Sequence, residues 1–211
     1  SIIPSTTATS RTISPNALDE DIAICAFSLN DDISPISINN ASNTSKVIEI
    51  EKSNNKSFTV AGKTYTITNL TNETNTISYT YDTTNNTLTI DGGNFTLNAK
   101  NDQNDNLIIN GNGTIKINTG NGNDNIIINS GDNVEVNSSL GKNIITSNVS
   151  ATINVGNGNN NITVNGDNSL INTDNGTNII NINAQGISIN QKSGSNNTFN
   201  ISNKFSVNLS V

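Results

Sequence analysis

The stretch Thr119-Gly-Asn-Gly-Asn-Asp-Asn-Ile-Ile-Ile-Asn-Ser-Gly-Asp-Asn-Val-Glu-Val-Asn137 decides the fold. It reads as a Gly/Asn turn, a short apolar run, a second and tighter turn, and an alternating apolar run. The same order recurs on both sides of it. The first apolar residue of each unit falls at Leu107, Ile126, Ile144, Ile162 and Ile180, so the units are 18 or 19 residues long. A near-constant spacing with two short strands per unit is the signature of a solenoid, in which each unit buries its apolar seam against its neighbours.

Working outward, the strand pairs continue in both directions. Leu88-Thr-Ile90 with Phe95-Thr-Leu97 precedes them, and Phe199-Asn-Ile201 with Phe205-Ser-Val207 follows. The expectation is an all-β chain: a narrow parallel β-solenoid, or β-roll, of about seven two-stranded rungs. At the usual strand separation the stack is about 30 Å long. Residues 87–211 form this Asn-rich solenoid. Residues 46–86 read as ordinary antiparallel strands, with a hairpin signal at Ala61-Gly-Lys63, and five of the eight aromatic residues lie between Phe58 and Phe95. Bulky antiparallel strands are what should close an open solenoid edge, so this stretch is expected to be an N-terminal cap. Residues 1–45 contain all three prolines and read as an extended N-terminal arm.

Each strand keeps two apolar positions, i and i+2, which sets the middle residue outward. On the first strand the outward column is expected to run Ile108, Ile127, Ile145, Thr163, Asn181 and Asn200. On the second it is expected to run Lys116, Glu135, Asn154, Ser188 and Ser206. Ile108, Ile127 and Ile145 make an apolar ladder. Either the arm or the 46–86 strands cover it, or it is a contact with another subunit. The arm offers a matching element in Ile22-Ala-Ile-Cys-Ala-Phe-Ser-Leu29, whose Ile22, Ile24, Phe27 and Leu29 could add as a strand to a neighbour's sheet edge.

Asn is the compositional outlier, with 46 of 211 residues. It recurs just after the apolar pairs, at Asn110, Asn129, Asn165 and Asn183 and at Asn118, Asn137, Asn172 and Asn190. Amides stacked at strand spacing can hydrogen-bond along the column, and Asn tolerates the backbone of tight corners. The excess therefore has a structural cause.

Charge and composition narrow the function. Ten basic against 17 acidic residues give a net charge of −7, which disfavours nucleic acid and anionic membrane surfaces as partners. No apolar run is long enough for membrane insertion. The chain begins at Ser1, as a processed form or a fragment would. With no His and a single Cys, Cys25, the sequence lacks the residues for catalytic triads and zinc sites. Asp102, Asp105 and Asp124 are the carboxylates that a glycoside-cleaving pair would need, and acidic turn residues are more often merely solvated.

Gly120-Asn-Gly-Asn-Asp-Asn-Ile126 resembles the repeat-in-toxin (hemolysin-type) calcium-binding nonapeptide, Gly-Gly-x-Gly-x-Asp-x-apolar-x. Thr119 replaces the first glycine, while Gly120, Gly122, Asp124 and Ile126 match. The resemblance spans about residues 100–183 and is degenerate. Gly156-Asn-Gly-Asn-Asn160 has Asn in place of the acid, and Leu140-Gly-Lys-Asn143 lacks both the acid and the paired glycines. What the resemblance implies is a β-roll binding Ca²⁺ in its turns, here through Asp124 and Asp105 with Gly120 and Gly122. Calcium prefers several charged oxygens, and one acid per turn is few.

The expectation is a non-enzymatic extracellular or cell-surface structural protein that needs no cofactor and whose partner is itself. It would build a bacterial surface filament or layer, or an adhesin stalk, by strand or edge pairing between subunits. The alternative is a secreted calcium-binding β-roll module of the repeat-in-toxin type.

Overall fold

The computed structural model describes residues 44–202 and 205–211. Among them the only regular structure is β. Four strands come first: β1 (Lys46–Ile50), β2 (Asn55–Val60), β3 (Lys63–Asn69) and β4 (Asn75–Asp82). Seven strand pairs follow. They are β5 (Thr87–Gly92) with β6 (Phe95–Ala99), β7 (Asn106–Gly111) with β8 (Thr114–Gly120), β9 (Asn125–Ser130) with β10 (Asn133–Ser138), and β11 (Ile144–Ser147) with β12 (Ala151–Val155). Then come β13 (Asn161–Val164) with β14 (Leu170–Thr173), β15 (Thr177–Ile182) with β16 (Ile187–Gln191), and β17 (Asn196–Ile201) with β18 (Val207–Ser210).

The odd strands from β5 to β17 stack in parallel in one sheet, and the even strands from β6 to β18 stack in parallel in a second. Seven stacked pairs make a β-solenoid of about six turns. At one end the antiparallel strands complete both sheets. β1 and β4 extend the first through β5, and β2 and β3 extend the second through β6. There Phe58 stacks between Tyr65 and Tyr79, with ring centroids 5.5 and 4.5 Å apart. These rings close the apolar seam with large side chains, as a solenoid terminus requires.

Between the sheets runs a thin core of Ile, Leu and Val, which a period-two strand delivers without any wide hydrophobic surface. Leu107, Ile109, Ile126, Ile128, Ile162, Val164, Ile180 and Ile182 line one side, all essentially inaccessible to solvent. Ile115, Ile117, Val134, Val136, Ile153, Ile171, Ile187 and Ile189 line the other. The corners after β8, β10, β12 and β14 need glycine for a specific reason. A Cβ on Gly122, Gly141, Gly158 or Gly176 would sit 2.0, 1.8, 1.9 or 1.9 Å from the carbonyl oxygen of the preceding turn, and all four have positive φ. The backbone of one rung rests directly on that of the last.

Three sequence expectations need correction. Ile145, expected on the outward ladder, pairs with Ile126 and Ile162 and is fully buried, whereas Ile144 is 52% exposed. The true buried series is Leu107, Ile126, Ile145, Ile162 and Ile180, and Thr146 takes the outward place. The misreading arose because β11 buries Ser147, not an isoleucine, at its second inward position. On the second sheet, Thr152 and not Asn154 follows Lys116 and Glu135. In the last strand Val207 and Leu209 are in register with Ile187 and Ile189, so Asn208, not Ser206, is outward. The residues Ile22, Ile24, Phe27 and Leu29, with Cys25, lie outside the described residues.

Candidate functional site

Two residues before the first core-facing apolar residue of each odd strand from β7 to β17 stands an Asp or Asn. By period two it must also point inward. These residues are Asp105, Asp124, Asn143, Asn160 and Asn178, all essentially buried, with Asn197 completing the column in the last rung. They form a polar ladder inside the solenoid. The backbone N–H of Asp105 donates to Asp124 Oδ1 at 3.0 Å, and that of Asp124 donates to Asn143 Oδ1 at 3.0 Å. From Asn143 onward the side-chain amide joins in. Asn143 donates to Asn160 Oδ1 through both its N–H (3.1 Å) and Nδ2 (2.9 Å), and Asn160 does the same to Asn178 Oδ1 at 3.0 and 2.9 Å. Asn178 Nδ2 then donates to Asn197 Oδ1 at 2.7 Å.

Sequence reasoning found the two acids of this column and missed its asparagines. The signal was the repeated spacing Gly122-x-Asp124, Gly141-x-Asn143, Gly158-x-Asn160 and Gly176-x-Asn178. Read together with the period of the following strand, it specifies an inward polar residue after each corner glycine.

The two acids have different surroundings from the amides. Asp105 Oδ1 accepts from the Tyr65 hydroxyl at 2.8 Å and from Gln103 Nε2 at 3.1 Å, while its Oδ2 is buried with no hydrogen-bond partner. Asp124 Oδ2 accepts from the Ser138 hydroxyl at 3.2 Å. Thr119 Oγ1 is likewise buried without a partner. Burial pushes both carboxyls above the ordinary carboxylate range, and hydrogen bonds to each oppose that rise. Burial, with Asp105 alongside, also raises the Tyr65 phenol.

Gly120 and Gly122 lie in the corner that presents Asp124. The N–H of Gly122 donates to the Leu140 carbonyl of the next rung at 2.9 Å, and Gly141 and Gly158 repeat this to Asn157 and Asn175 at 3.3 and 3.2 Å. The corner carbonyls are thus used in rung-to-rung hydrogen bonds. No group of three or more His, Cys, Asp and Glu able to hold a metal ion occurs among the described residues. Asp102 is exposed and accepts from Asn121 Nδ2 at 3.1 Å, so it does not join the buried pair.

Two further Asn ladders run along the outer faces, where the sequence places them. On the second sheet Asn118, Asn137, Asn154, Asn172 and Asn190 each donate Nδ2 to the Oδ1 of the preceding rung, starting at Asn98, over 2.6–2.8 Å. On the first sheet Asn110, Asn129, Asn148, Asn165 and Asn183 do the same, starting at Asp91, over 2.7–3.1 Å. Ile108 and Ile127 are half-buried neighbours in the central outward column beside this ladder.

The two ends of the stack differ. The aromatic strands close one. Among the described residues β1 and β2 are the edge strands at that end and β17 and β18 at the other, where the core-facing Ile201 and Leu209 are 45% and 50% exposed. No family model, curated protein or solved structure matches the chain.

Proposed function

We propose that the protein is a non-enzymatic structural component of the cell exterior. Its copies would assemble end to end, by strand pairing, into a filament, layer or stalk. The observation that carries this is the difference between the two ends. A solenoid edge with free backbone groups and half-exposed core residues is a template for one more rung. The outer Asn ladders give way to serines at this end: the Ser202 hydroxyl donates to Asn183 Oδ1, and Ser210 lies in register with Asn190. An arm containing Ile22, Ile24, Phe27 and Leu29 would supply an added strand from the next subunit. Head-to-tail pairing of unlike ends produces open polymers.

Negative-stain microscopy of the full chain over a range of concentrations tests the reading. Fibres should lengthen with concentration. Ile201→Lys with Leu209→Lys, both at already exposed positions, should abolish them without changing the far-UV circular dichroism, and deletion of residues 1–45 should shorten them. Fibres of unchanged length in the double variant would overturn end pairing.

One observation favours a second reading, a calcium-binding β-roll of the repeat-in-toxin type. It is the unpartnered Asp105 Oδ2 beside Asp124. These two acids would be the ligands, supplying carboxylate oxygens to a hard cation. If this reading holds, EGTA should lower the melting temperature of wild-type protein and leave that of Asp124→Asn unchanged.

A further inference from the structure

We propose that the outer face of the first sheet is a lateral contact between two copies of this chain. The copies lie parallel, with the central column of one opposite the central column of the other. This goes beyond end-to-end assembly and does not depend on it.

From β7 to β17 the face is uncharged, and the acidic Asp82 on β4 and Asp91 on β5 lie at the capped end. Strands β7, β9, β11, β13, β15 and β17 contain no ionisable residue. In a chain of net charge −7, copies approach one another at least cost where neither presents charge. The opposite sheet carries the Lys116–Glu135 ion pair at 3.0 Å in its own central column. The first sheet instead presents Ile108 and Ile127 in its central column and exposed Ile144 and Ile179 in the column beside it.

The Asn column that flanks them is already largely satisfied. Each amide from Asn110 to Asn165 gives Nδ2 to the rung before and receives the next on Oδ1. Covering such a ladder strips less hydration than covering free amides, which is why stacked Asn occurs in dry cross-β interfaces. No aromatic side chain projects from the face to stack on a sugar ring. Phe199 occupies an inward position, in register with the buried Ile180.

Periodicity selects the partner. The face repeats at the strand separation of about 4.8 Å, so a surface that meshes with it rung for rung must share that repeat. A second copy does. Six strands and three outward columns give about 500 Å² per copy, or about 1,000 Å² for the pair, which reaches the lower bound for a specific interface. A two-fold axis along the stack sets Ile108, Ile127, Thr146 and Thr163 each opposite its own counterpart. The antiparallel arrangement sets Ile108 against Asn200 and Ile127 against Asn181 and loses the apolar contact.

Cross-linking tests this on the full chain, with Cys25→Ser removing the native thiol. Ile127→Cys should give several-fold more covalent dimer with a short bis-maleimide than Thr152→Cys, which lies on the central column of the opposite sheet. Thr146→Lys with Thr163→Lys should convert dimer to monomer in sedimentation, with unchanged circular dichroism. The end-edge variants at Ile201 and Leu209 should cross-link through Ile127→Cys as before, so failure of end pairing and failure of this contact are separable. Equal cross-linking at both thiols, none at Ile127→Cys, or an unchanged mass in the lysine variant overturns the proposal. So does cross-linking that appears only after residues 1–45 are deleted, because the chain's own N-terminal segment would then be the cover.

Discussion

Asn143 gives both its backbone N–H and its side-chain amide to one atom, Asn160 Oδ1, at 3.1 and 2.9 Å, deep between the two sheets. Asn160 then passes the same pair of bonds to Asn178. Buried polar groups are costly unless they are paired, and from Asn143 onward each rung satisfies the last, whereas Asp105 Oδ2 at the start of the column is left without a partner. This makes the asparagines of the interior structural in a way that those of the surface are not.

Asn160→Ala should therefore cost far more than Asn165→Ala. The first leaves two buried donors of Asn143 unpaired and removes one of the two donors to Asn178 Oδ1, a penalty of at least about 2 kcal/mol. The second interrupts an exposed ladder, where water replaces the lost partner, and should cost less than about 1 kcal/mol. Urea denaturation of the two variants compares them. Equal midpoints would show that the inner ladder contributes nothing special.

Stacking also fixes which glycines can be replaced. Gly158→Ala puts a methyl 1.9 Å from the Gly141 carbonyl oxygen, so the two turns must separate. We expect a loss of more than about 3 kcal/mol, as for severe overpacking with backbone strain. Gly62→Ala, at φ +76° in the β2–β3 turn with nothing near its Cβ, should cost only about 1–2 kcal/mol, the left-handed conformational penalty. Thermal melts would separate the two. A Gly158→Ala protein as stable as Gly62→Ala would mean that the corners are not in contact.

The repeat, the thin apolar seam and the outer Asn columns were legible because each is a regular pattern of one residue type. The registers of β11 and β12 and the inner ladder were not, and for a common reason. Both depend on small residues at buried positions, Ala151 on β12 and otherwise polar ones. Ser147 lies in the core with its hydroxyl donated to the Val149 carbonyl at 2.8 Å, and Ser169 does the same to Gly166 at 2.8 Å. A search for apolar pairs skips Ser147 and lands one position out, at Ile144, and on β12 it passes over the small buried Ala151 and lands two positions out, at Asn154. The acids at positions 105 and 124 were visible as a motif. Their burial was not, because it follows from the strand period carried back through the turn.

The buried acids set the direction of one pH response. Burial raises the folded-state pKa of Asp124 above its unfolded value. Such a group favours the folded state below the unfolded pKa, and that contribution is lost as pH rises through the folded pKa. Glu135 acts in the opposite sense. Its pKa is lowered first by the Asn137 amide and then by Lys116, so its contribution is present above the unfolded pKa and lost as pH falls through the folded one. Asp124→Asn removes the first effect and continues the amide ladder by one rung. In the presence of EDTA, the variant should melt higher than wild type at pH 7, and the difference should shrink toward pH 3. A variant that melts lower at pH 7 would show that the carboxylate is held ionised by something stronger than the hydrogen bonds named above.

The last prediction concerns how the aromatic cap is tied to the repeat. The Tyr65 hydroxyl on β3 donates to Asp105 Oδ1, the first member of the inner column, and Asp105 Oδ2 has no other partner. Tyr65→Phe keeps the ring and its stacking on Phe58 while removing a charge-assisted bond from a buried carboxylate. It should cost about 1.5–3 kcal/mol. Asp105→Asn relieves the buried charge and can still accept from the tyrosine, so it should be better tolerated. In the Asp105→Asn background, Tyr65→Phe then removes only a neutral bond and should cost about 1 kcal/mol. A double-mutant cycle by chemical denaturation measures the difference as a coupling energy. Zero coupling would mean that the phenol serves the cap alone and that the hydrogen bond does not join it to the solenoid.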